Sequence, residues 1–164
     1  MTFAHAADRP NILFIFSDDH AQHAISAYGS KVNTTPNIDR LAKDGARFAN
    51  SFVSNSICTP SRAALITGQY SHLNGVPVFN KIDGARDNVA KHLQAGGYHT
   101  GMIGKWHLGY PPAFGPLRSG YDEFFGIMAG GVDYFTHCSG AGDHDLFIGE
   151  ETHKEVGYLT DVFS

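Results

Sequence analysis

The sequence has few cysteines, few charged residues and no long apolar run. Its 164 residues include two cysteines, Cys58 and Cys138, too few for a disulfide-dense scaffold. Charged residues make up 17%, and the net charge of −4 leaves no basic surplus for nucleic acid. No apolar stretch approaches the length of a membrane span. We therefore expect no nucleic-acid partner and no membrane-spanning segment.

The remaining composition is that of a globular chain. Hydrophobic residues make up 42%, and the length is enough for one domain with its own core. Nineteen glycines predict many turns and loops. Ten histidines beside 12 lysines and arginines indicate metal or acid–base chemistry, although histidines scattered over the surface would give the same count.

Both ends of the sequence predict a piece of a longer protein. Ala4-His5-Ala6 with Ala7 resembles the cleavage site of a secretory signal, but the apolar segment that should precede it is absent. Residues 1–7 are thus either the remnant of a longer signal peptide or an Ala-rich leader. The first interpretation predicts a periplasmic or secreted protein. Residues 157–164 read as a turn that leads into a new amphipathic helix.

Strand and helix signals alternate along the first two thirds of the chain. Short apolar, β-prone runs predict strands, whereas Thr or Pro near the start and Gly near the end predict helices. The predicted elements are strand 11–16, helix 35–45, strand 46–53, helix 59–68, helix 87–96 and strand 98–104. This alternation predicts an α/β fold with a mostly parallel central sheet flanked by helices. From Tyr110 onward we expect mainly loop with short pieces of secondary structure.

The segment from Cys58 to Gly68 predicts an anion site beside a cysteine. Thr59 as helix cap and Pro60 in the first turn would place Cys58 just before a helix N-terminus, where backbone N–H groups favour an anion. Arg62 in that first turn is unfavourable by up to about 1 kcal/mol unless an anion or carboxylate lies nearby. The alternative is a buried structural cysteine with an arginine that reaches solvent.

Two other patterns have similar chemistry. Asp18 and Asp19 follow the first apolar run, and adjacent carboxylates repel each other unless a cation lies between them. They are either ligands of a hard cation such as Ca²⁺ or a solvated turn. In an extended chain, Lys105 and His107 would share one face with Trp106 opposite, a possible clamp for a tetrahedral anion. The alternative is a surface Lys and His around a core Trp.

Three further features of the sequence are less specific for a function. Asp143-His144-Asp145 is either a metal-binding group or a solvated loop, and we favour the loop because no further ligand is placed by its spacing. Asp122-Glu123 is interpreted as a helix cap or loop, not as an acid/base pair. Cys138 is expected to pack or to have no role.

Taken together, the three patterns resemble the signatures of the type I, formylglycine-dependent sulfatases. Cys58-Thr59-Pro60-Ser61-Arg62, followed by an apolar stretch and Thr67-Gly68, resembles the segment that carries the modified cysteine. Residues 104–109, Gly-Lys-Trp-His-Leu-Gly, resemble the second signature, and 11–19 resemble the opening of the family. The resemblance implies an alkaline-phosphatase-like superfamily fold that is incomplete at the C-terminus. Residues 8–164 would then be the N-terminal part of an arylsulfatase-like catalytic domain.

The resemblance also implies a reaction, the hydrolysis of a sulfate monoester to alcohol and sulfate. A maturation enzyme would oxidise Cys58 to formylglycine, whose hydrate attacks sulfur with one hydroxyl and expels sulfate with the help of the other. Asp18, Asp19 and Cys58 would be ligands of Ca²⁺ or Mg²⁺. Arg62 and Lys105 would stabilise negative charge. His107 would orient the hydrate or relay its proton, and it would bind substrate together with Lys105.

Other interpretations stay open. Family members continue for several hundred residues and carry a leaving-group acid, further metal ligands and a second Lys there, so we expect the 164 residues alone to be inactive. A phosphonate or phosphate ester hydrolase of the same superfamily and a non-catalytic, truncated remnant are the alternatives. A redox site is disfavoured because no Cys-x-x-Cys occurs. The substrate class, sulfated glycan or aryl sulfate, is not predicted.

Overall fold

A computed structural model describes residues 9–164, so the proposed signal remnant at 1–7 lies outside the described residues. The chain divides into two compact units, Met1–Ser51 and Phe52–Ser164. The described helices are α1 (Pro36–Asp44), α2 (Cys58–Thr67), α3 (Ser71–Asn74), α4 (Val89–Ala95) and α5 (Leu159–Val162), with short 3-10 turns at Gln22–Ala24, Ser26–Tyr28 and Leu117–Ser119. The described strands are β1 (Gly101–Lys105), β2 (Glu123–Ile127), β3 (Phe147–Ile148) and β4 (Glu151–Thr152). Within residues 9–164, no helix is long and apolar enough to span a membrane.

The first unit is organised around α1. Thr35 precedes this helix, but its hydroxyl donates to Asp39 Oδ1 at 3.1 Å and does not cap the backbone. Ser26 Oγ donates to the other carboxylate oxygen of Asp39 at 2.6 Å. The Ser26 hydrogen bond is the main cause that lowers the pKa of Asp39. The predicted helix over 35–45 is confirmed. The Asp39 carboxylate in its first turn ties the start of the helix to Ser26 and Thr35.

The two strands predicted in this region are wrong. Residues 11–16 and 46–53 have no strand structure, and the apolar side chains of the first run are exposed, Leu13 by 85%. An apolar run becomes a buried strand only when neighbouring strands pair with it and cover both its faces. Among the described residues of the first unit there is no strand that could serve as such a partner.

The second unit contains a sheet with the strand order β1-β2-β3-β4. The longest pairing is parallel and joins β1 to β2 over five residue pairs, from Gly101 beside Glu123 to Lys105 beside Ile127. The short β3 and β4 are antiparallel. The α/β class is therefore confirmed, as are the predicted helices over 59–68 and 87–96 and the strand over 98–104, with small shifts at their ends. After Tyr110 the chain is mainly loop with short elements, as expected, and β2 with its five residues is the longest of them.

Trp106 is at the centre of the main core of the second unit. It is 1% exposed, its indole N–H donates to the Phe114 carbonyl at 2.8 Å, and its backbone N–H donates to the Ile127 carbonyl at 2.9 Å. The predicted core position of this tryptophan is confirmed. The other buried members of the cluster are Ala63, Ile66, Val76, Ile82, Leu108, Phe124, Met128 and Phe147. Side chains of α2 thus pack with residues that follow β1 and β2.

Candidate active site

The helix that carries the candidate nucleophile begins at Cys58 itself. Ile57 is the residue before the helix, and Thr59 does not cap it, contrary to the sequence prediction. Thr59 is 2% exposed, and its hydroxyl has no hydrogen-bond partner among the described residues. The Thr59 side chain is thus buried, and Ile57, in an extended conformation, is the residue that precedes the first turn of α2. Cys58 is half-buried in the first turn and forms no disulfide.

Arg62 joins α2 to the end of β1. Its Nη1 atom donates a hydrogen bond of 2.5 Å to the backbone carbonyl of Lys105, and both side chains are half-buried. The two residues are 43 positions apart in sequence, so this contact is a tertiary one. It brings the helix of Cys58 and the Lys-x-His segment together, as the predicted site requires.

His107 has a strained backbone and closely packed surroundings. Its φ of 55° lies in the left-handed region, so the extended geometry that would put Lys105 and His107 on one face is wrong. Trp106 and Leu108, on either side of it, are both 1% exposed and anchor the strained residue. The His107 ring lies 5.8 Å from the ring of Phe79. A Cβ atom on Gly130 would lie 2.6 Å from Cε1 of His107, so only glycine fits there without a shift.

A cleft of about 400 Å³ opens beside His107. Residues that follow β1 and residues that follow β2 form much of its wall, and Thr59 brings the start of α2 to it. The lining residues are Thr59, Phe79, Asn80, Lys81, His107, Gly109, Tyr110, Met128, Ala129, Gly130, Gly131, Ser139, Gly140 and Ala141. Of the predicted site residues, His107 lines this cleft, whereas Cys58, Arg62 and Lys105 do not.

Asp145 is the residue that the sequence prediction missed. It is 2% exposed, so the predicted solvated loop at Asp143–Asp145 is wrong for its last member. Its carboxylate accepts hydrogen bonds from the Ala129 N–H at 2.7 Å, from the Met128 backbone and from the Tyr110 phenol. Burial is the main cause that raises its pKa. The only sequence signal is its place directly before the apolar run that becomes β3, and that pattern does not identify partners at 110 and 129.

The acidic pair lies in the other unit. Asp18 and Asp19 are both exposed, and Asp19 adopts a left-handed φ of 49°, which aspartate tolerates better than most residues. Their carboxylate oxygens suit a hard divalent cation, which takes six to eight such ligands in the case of Ca²⁺. In residues 9–164, no group of three or more His, Cys, Asp or Glu side chains could hold a metal ion. The pair therefore fits a Ca²⁺ or Mg²⁺ site in donor type, but two carboxylates are too few to complete its ligand set.

Comparisons with known proteins agree on one family. The sulfatase family model matches residues 10–156. The chain is 38% identical over 160 residues to the N-acetylglucosamine-6-O-sulfatase of Bacteroides thetaiotaomicron, covering 95% of this chain and 26% of that protein. It is 44% identical over 127 residues to human arylsulfatase A, covering 72% of this chain and 25% of that protein. The chain therefore spans about a quarter of the length of these curated relatives.

Solved structures give the same result. A protein solved with its substrate D-glucosamine-2-N,6-O-disulfate matches with a TM-score of 0.80 and 38% identity, over 94% of this chain and 29% of that one. Ps i-CgsB, solved with a neocarrahexaose, matches with a TM-score of 0.81 and 32% identity, over 88% of this chain and 37% of that one. The α/β arrangement is that of the alkaline-phosphatase-like fold of sulfatases, as predicted. On its sequence and its fold, this chain belongs to the sulfatase family.

Proposed function

We propose that the protein hydrolyses sulfate monoesters to an alcohol and sulfate, with Cys58 as the position of the catalytic group. One observation carries the proposal: the hydrogen bond from Arg62 to the Lys105 carbonyl joins the helix of Cys58 to the Lys-x-His segment. A cysteine, two cations and a histidine on adjoining elements of one core are suited to binding a tetrahedral anion and attacking its central atom. Membership of the sulfatase family supports sulfate as that anion.

Each residue of the site has a proposed role. Cys58, once oxidised to formylglycine and hydrated, supplies a geminal diol, one hydroxyl of which attacks sulfur while the alcohol leaves. The second hydroxyl then loses its proton, the bond between carbon and the sulfate oxygen breaks, and the aldehyde is restored. Arg62 and Lys105 stabilise the negative charge of the sulfate group. His107, which lines the cleft, orients the attacking group or relays its proton and contacts the substrate together with Lys105. The segment from Cys58 to Arg62 is the proposed recognition element of a maturation enzyme.

Asp18 and Asp19, with Cys58 in its modified form, are the proposed ligands of Ca²⁺ or Mg²⁺. The ion supplies Lewis-acid polarisation of a sulfate oxygen. Because the two aspartates are too few for a complete shell, we propose that further ligands and the leaving-group acid come from sequence that this chain does not include. We also propose that the mature protein is periplasmic or secreted, on the basis of the Ala-rich segment at 4–7.

The substrate is proposed to be a sulfated glycan or an aryl sulfate. Support comes from the relatives, which include an N-acetylglucosamine-6-O-sulfatase and an arylsulfatase. A comparison of kcat/KM for an aryl sulfate and an aryl phosphonate on the complete protein separates the sulfatase from the phosphonate hydrolase. We expect the sulfate ester to be preferred, and a preference for the phosphonate would support the alternative.

The decisive test replaces each cysteine in turn in the complete protein. We expect Cys58→Ala to abolish hydrolysis of an aryl sulfate, because the nucleophile is lost. Cys138→Ala is the matched control, since this second cysteine is also half-buried and outside any disulfide, and we expect full activity. Mass spectrometry of the wild-type peptide around Cys58 should show the aldehyde in place of the thiol. An unmodified Cys58 in an active enzyme, or activity in Cys58→Ala, contradicts the proposal.

A further inference from the structure

The buried carboxylate of Asp145 interacts with two segments of chain that line the cleft, one after β1 and one after β2. Asp145 directly precedes the buried Leu146, and its side chain accepts hydrogen bonds from the chain after β2 and from the chain after β1. A buried charge costs free energy unless donors surround it, and here the donors are the Ala129 N–H, the Met128 backbone and the Tyr110 phenol. An apolar side chain at this position would leave the Ala129 N–H without its acceptor.

The same two wall segments determine how His107 is held. Ala129, which donates to Asp145, directly precedes Gly130, and Gly130 lies so near the His107 ring that a Cβ atom there would be 2.6 Å from Cε1 of the ring. Tyr110 follows His107 by three residues and lines the cleft with it. Burial and the negative charge of Asp145 raise the pKa of Tyr110 to about 12, so its phenol remains a hydrogen-bond donor at neutral pH. Both connections from Asp145 therefore lead to the surroundings of His107.

We propose that Asp145 is a positioning residue that fixes the orientation of the His107 ring, through Ala129 and Gly130 on one side and Tyr110 on the other. Asp145 does not line the cleft, so it acts on the site through these contacts and not on substrate. The proposal rests on the proposed function only for the role of His107 in catalysis. The geometric part, that Asp145 determines the position of the ring, is independent of the reaction.

The test follows the His107 ring directly in the complete protein. With 13C-labelled histidine, the His107 signal is assigned by its loss in His107→Gln and then compared in Asp145→Asn and Asp145→Ala. We expect the signal to move in both variants, with a larger displacement in Asp145→Ala, because the amide of Asn keeps one acceptor oxygen. We also expect kcat on an aryl sulfate to fall more than KM changes.

Asp143→Asn is the matched control. It removes a negative charge that also acts on Tyr110, but the exposed side chain of Asp143 has no hydrogen bond to Ala129 among those described. If the hydrogen bonds of Asp145, and not the local charge, hold the ring, its signal should stay in place. A folded Asp145→Ala protein with an unchanged His107 signal overturns the proposal, even if its melting temperature is lower. If Asp145→Ala does not fold, unchanged signals in both Asp145→Asn and Tyr110→Phe overturn it. If the ring moves but the wild type hydrolyses no sulfate ester, the positioning role stands and the proposed function fails.

Discussion

At the scale of single residues, the unusual backbone of His107 is the main feature of the site. A left-handed φ on a non-glycine residue costs about 1–3 kcal/mol and persists only where the surroundings fix it. Here the fixing contacts are the buried Trp106 and Leu108 on either side and the close approach of Gly130. The strain holds the imidazole at the wall of the cleft, where the proposed reaction needs it.

Two neighbouring glycines, Gly130 and Gly131, provide a test of how closely Gly130 approaches the His107 ring. A Cβ at Gly130 would meet three atoms of the His107 ring within 3.3 Å, whereas a Cβ at Gly131 would meet nothing within 4 Å. We expect Gly130→Ala to lower the free energy of unfolding by about 1–3 kcal/mol and to reduce kcat/KM, because the ring must shift. Gly131→Ala should change stability by less than about 0.5 kcal/mol, because the added methyl group meets no other atom. Equal losses of unfolding free energy in the two variants, measured by denaturant unfolding, would argue against the contact.

At the residue scale, short patterns selected positions that the fold brings close: the Arg62 side chain reaches the Lys105 carbonyl. The chemical roles assigned to these residues stay predictions. Asp145 was missed because its partners lie 35 and 16 positions away, at Tyr110 and Ala129, and no local pattern encodes such contacts. The left-handed φ of His107 was missed for the same reason, since packing around the residue imposes it.

At the scale of elements, Asp122 connects α4, the start of β1 and the start of β2. Its carboxylate accepts from the Thr100 N–H at 2.7 Å, from the Thr100 hydroxyl at 2.9 Å and from Gln94 Nε2 at 2.6 Å. The sequence interpretation of Asp122 as a helix cap or loop residue was incomplete, because its side chain joins the start of β1 to the start of β2. We call this set of hydrogen bonds the Asp122 clamp. The backbone hydrogen bond from Thr100 is the main cause that lowers the pKa of Asp122 below 3.8.

This clamp predicts a pH dependence of stability. Because the folded-state pKa lies below the unfolded value, the unfolded chain takes up the proton first as the pH falls. The stabilisation is therefore complete above the unfolded pKa and is lost as the pH falls through the lowered folded pKa. We expect the unfolding free energy of Asp122→Asn, measured in urea from neutral pH to below pH 3.8, to decline less steeply than that of the wild type at the acidic end. Parallel curves would contradict the clamp.

Helices were predicted better than strands because their signals are local. Asn88 caps α4 with its side chain, and Gly68 ends α2 in a left-handed conformation, both readable from the sequence. A strand depends on partners that are distant in the chain, which is why the run at 11–16 was overpredicted. For the same reason β2, with its short Phe-Phe-Gly-Ile run, was not separated from the glycine-rich segments around it.

At the scale of the whole molecule, exposed apolar side chains are numerous. Leu13, Phe52 and Val156 are each at least 85% exposed. Apolar surface of this extent normally contacts other protein. The relatives, of which this chain spans about a quarter, have three quarters of their sequence outside the matched region. Sequence of this kind would cover apolar side chains such as these within each unit.

The isolated 164-residue chain is therefore expected to be inactive. Residues 9–164 contain no group of three or more candidate metal ligands, so an ion would be held weakly even at saturating Ca²⁺. An aryl sulfate assay with the purified chain and Ca²⁺ should give no turnover above the blank, whereas the complete protein should turn over. Measurable hydrolysis by the isolated chain, abolished by Cys58→Ala, would show that the catalytic set is already present.

β1 is an edge strand of the described sheet, so a further strand could pair with it. Its outer backbone groups lie along an open edge, and Ile103 in its middle is 66% exposed. A further strand that pairs with β1 in parallel would share its direction. Residues after that strand would then emerge on the same side of the sheet as those that follow β1 and β2. A parallel strand added at this edge would therefore bring the residues that follow it to the end of the sheet where the cleft lies.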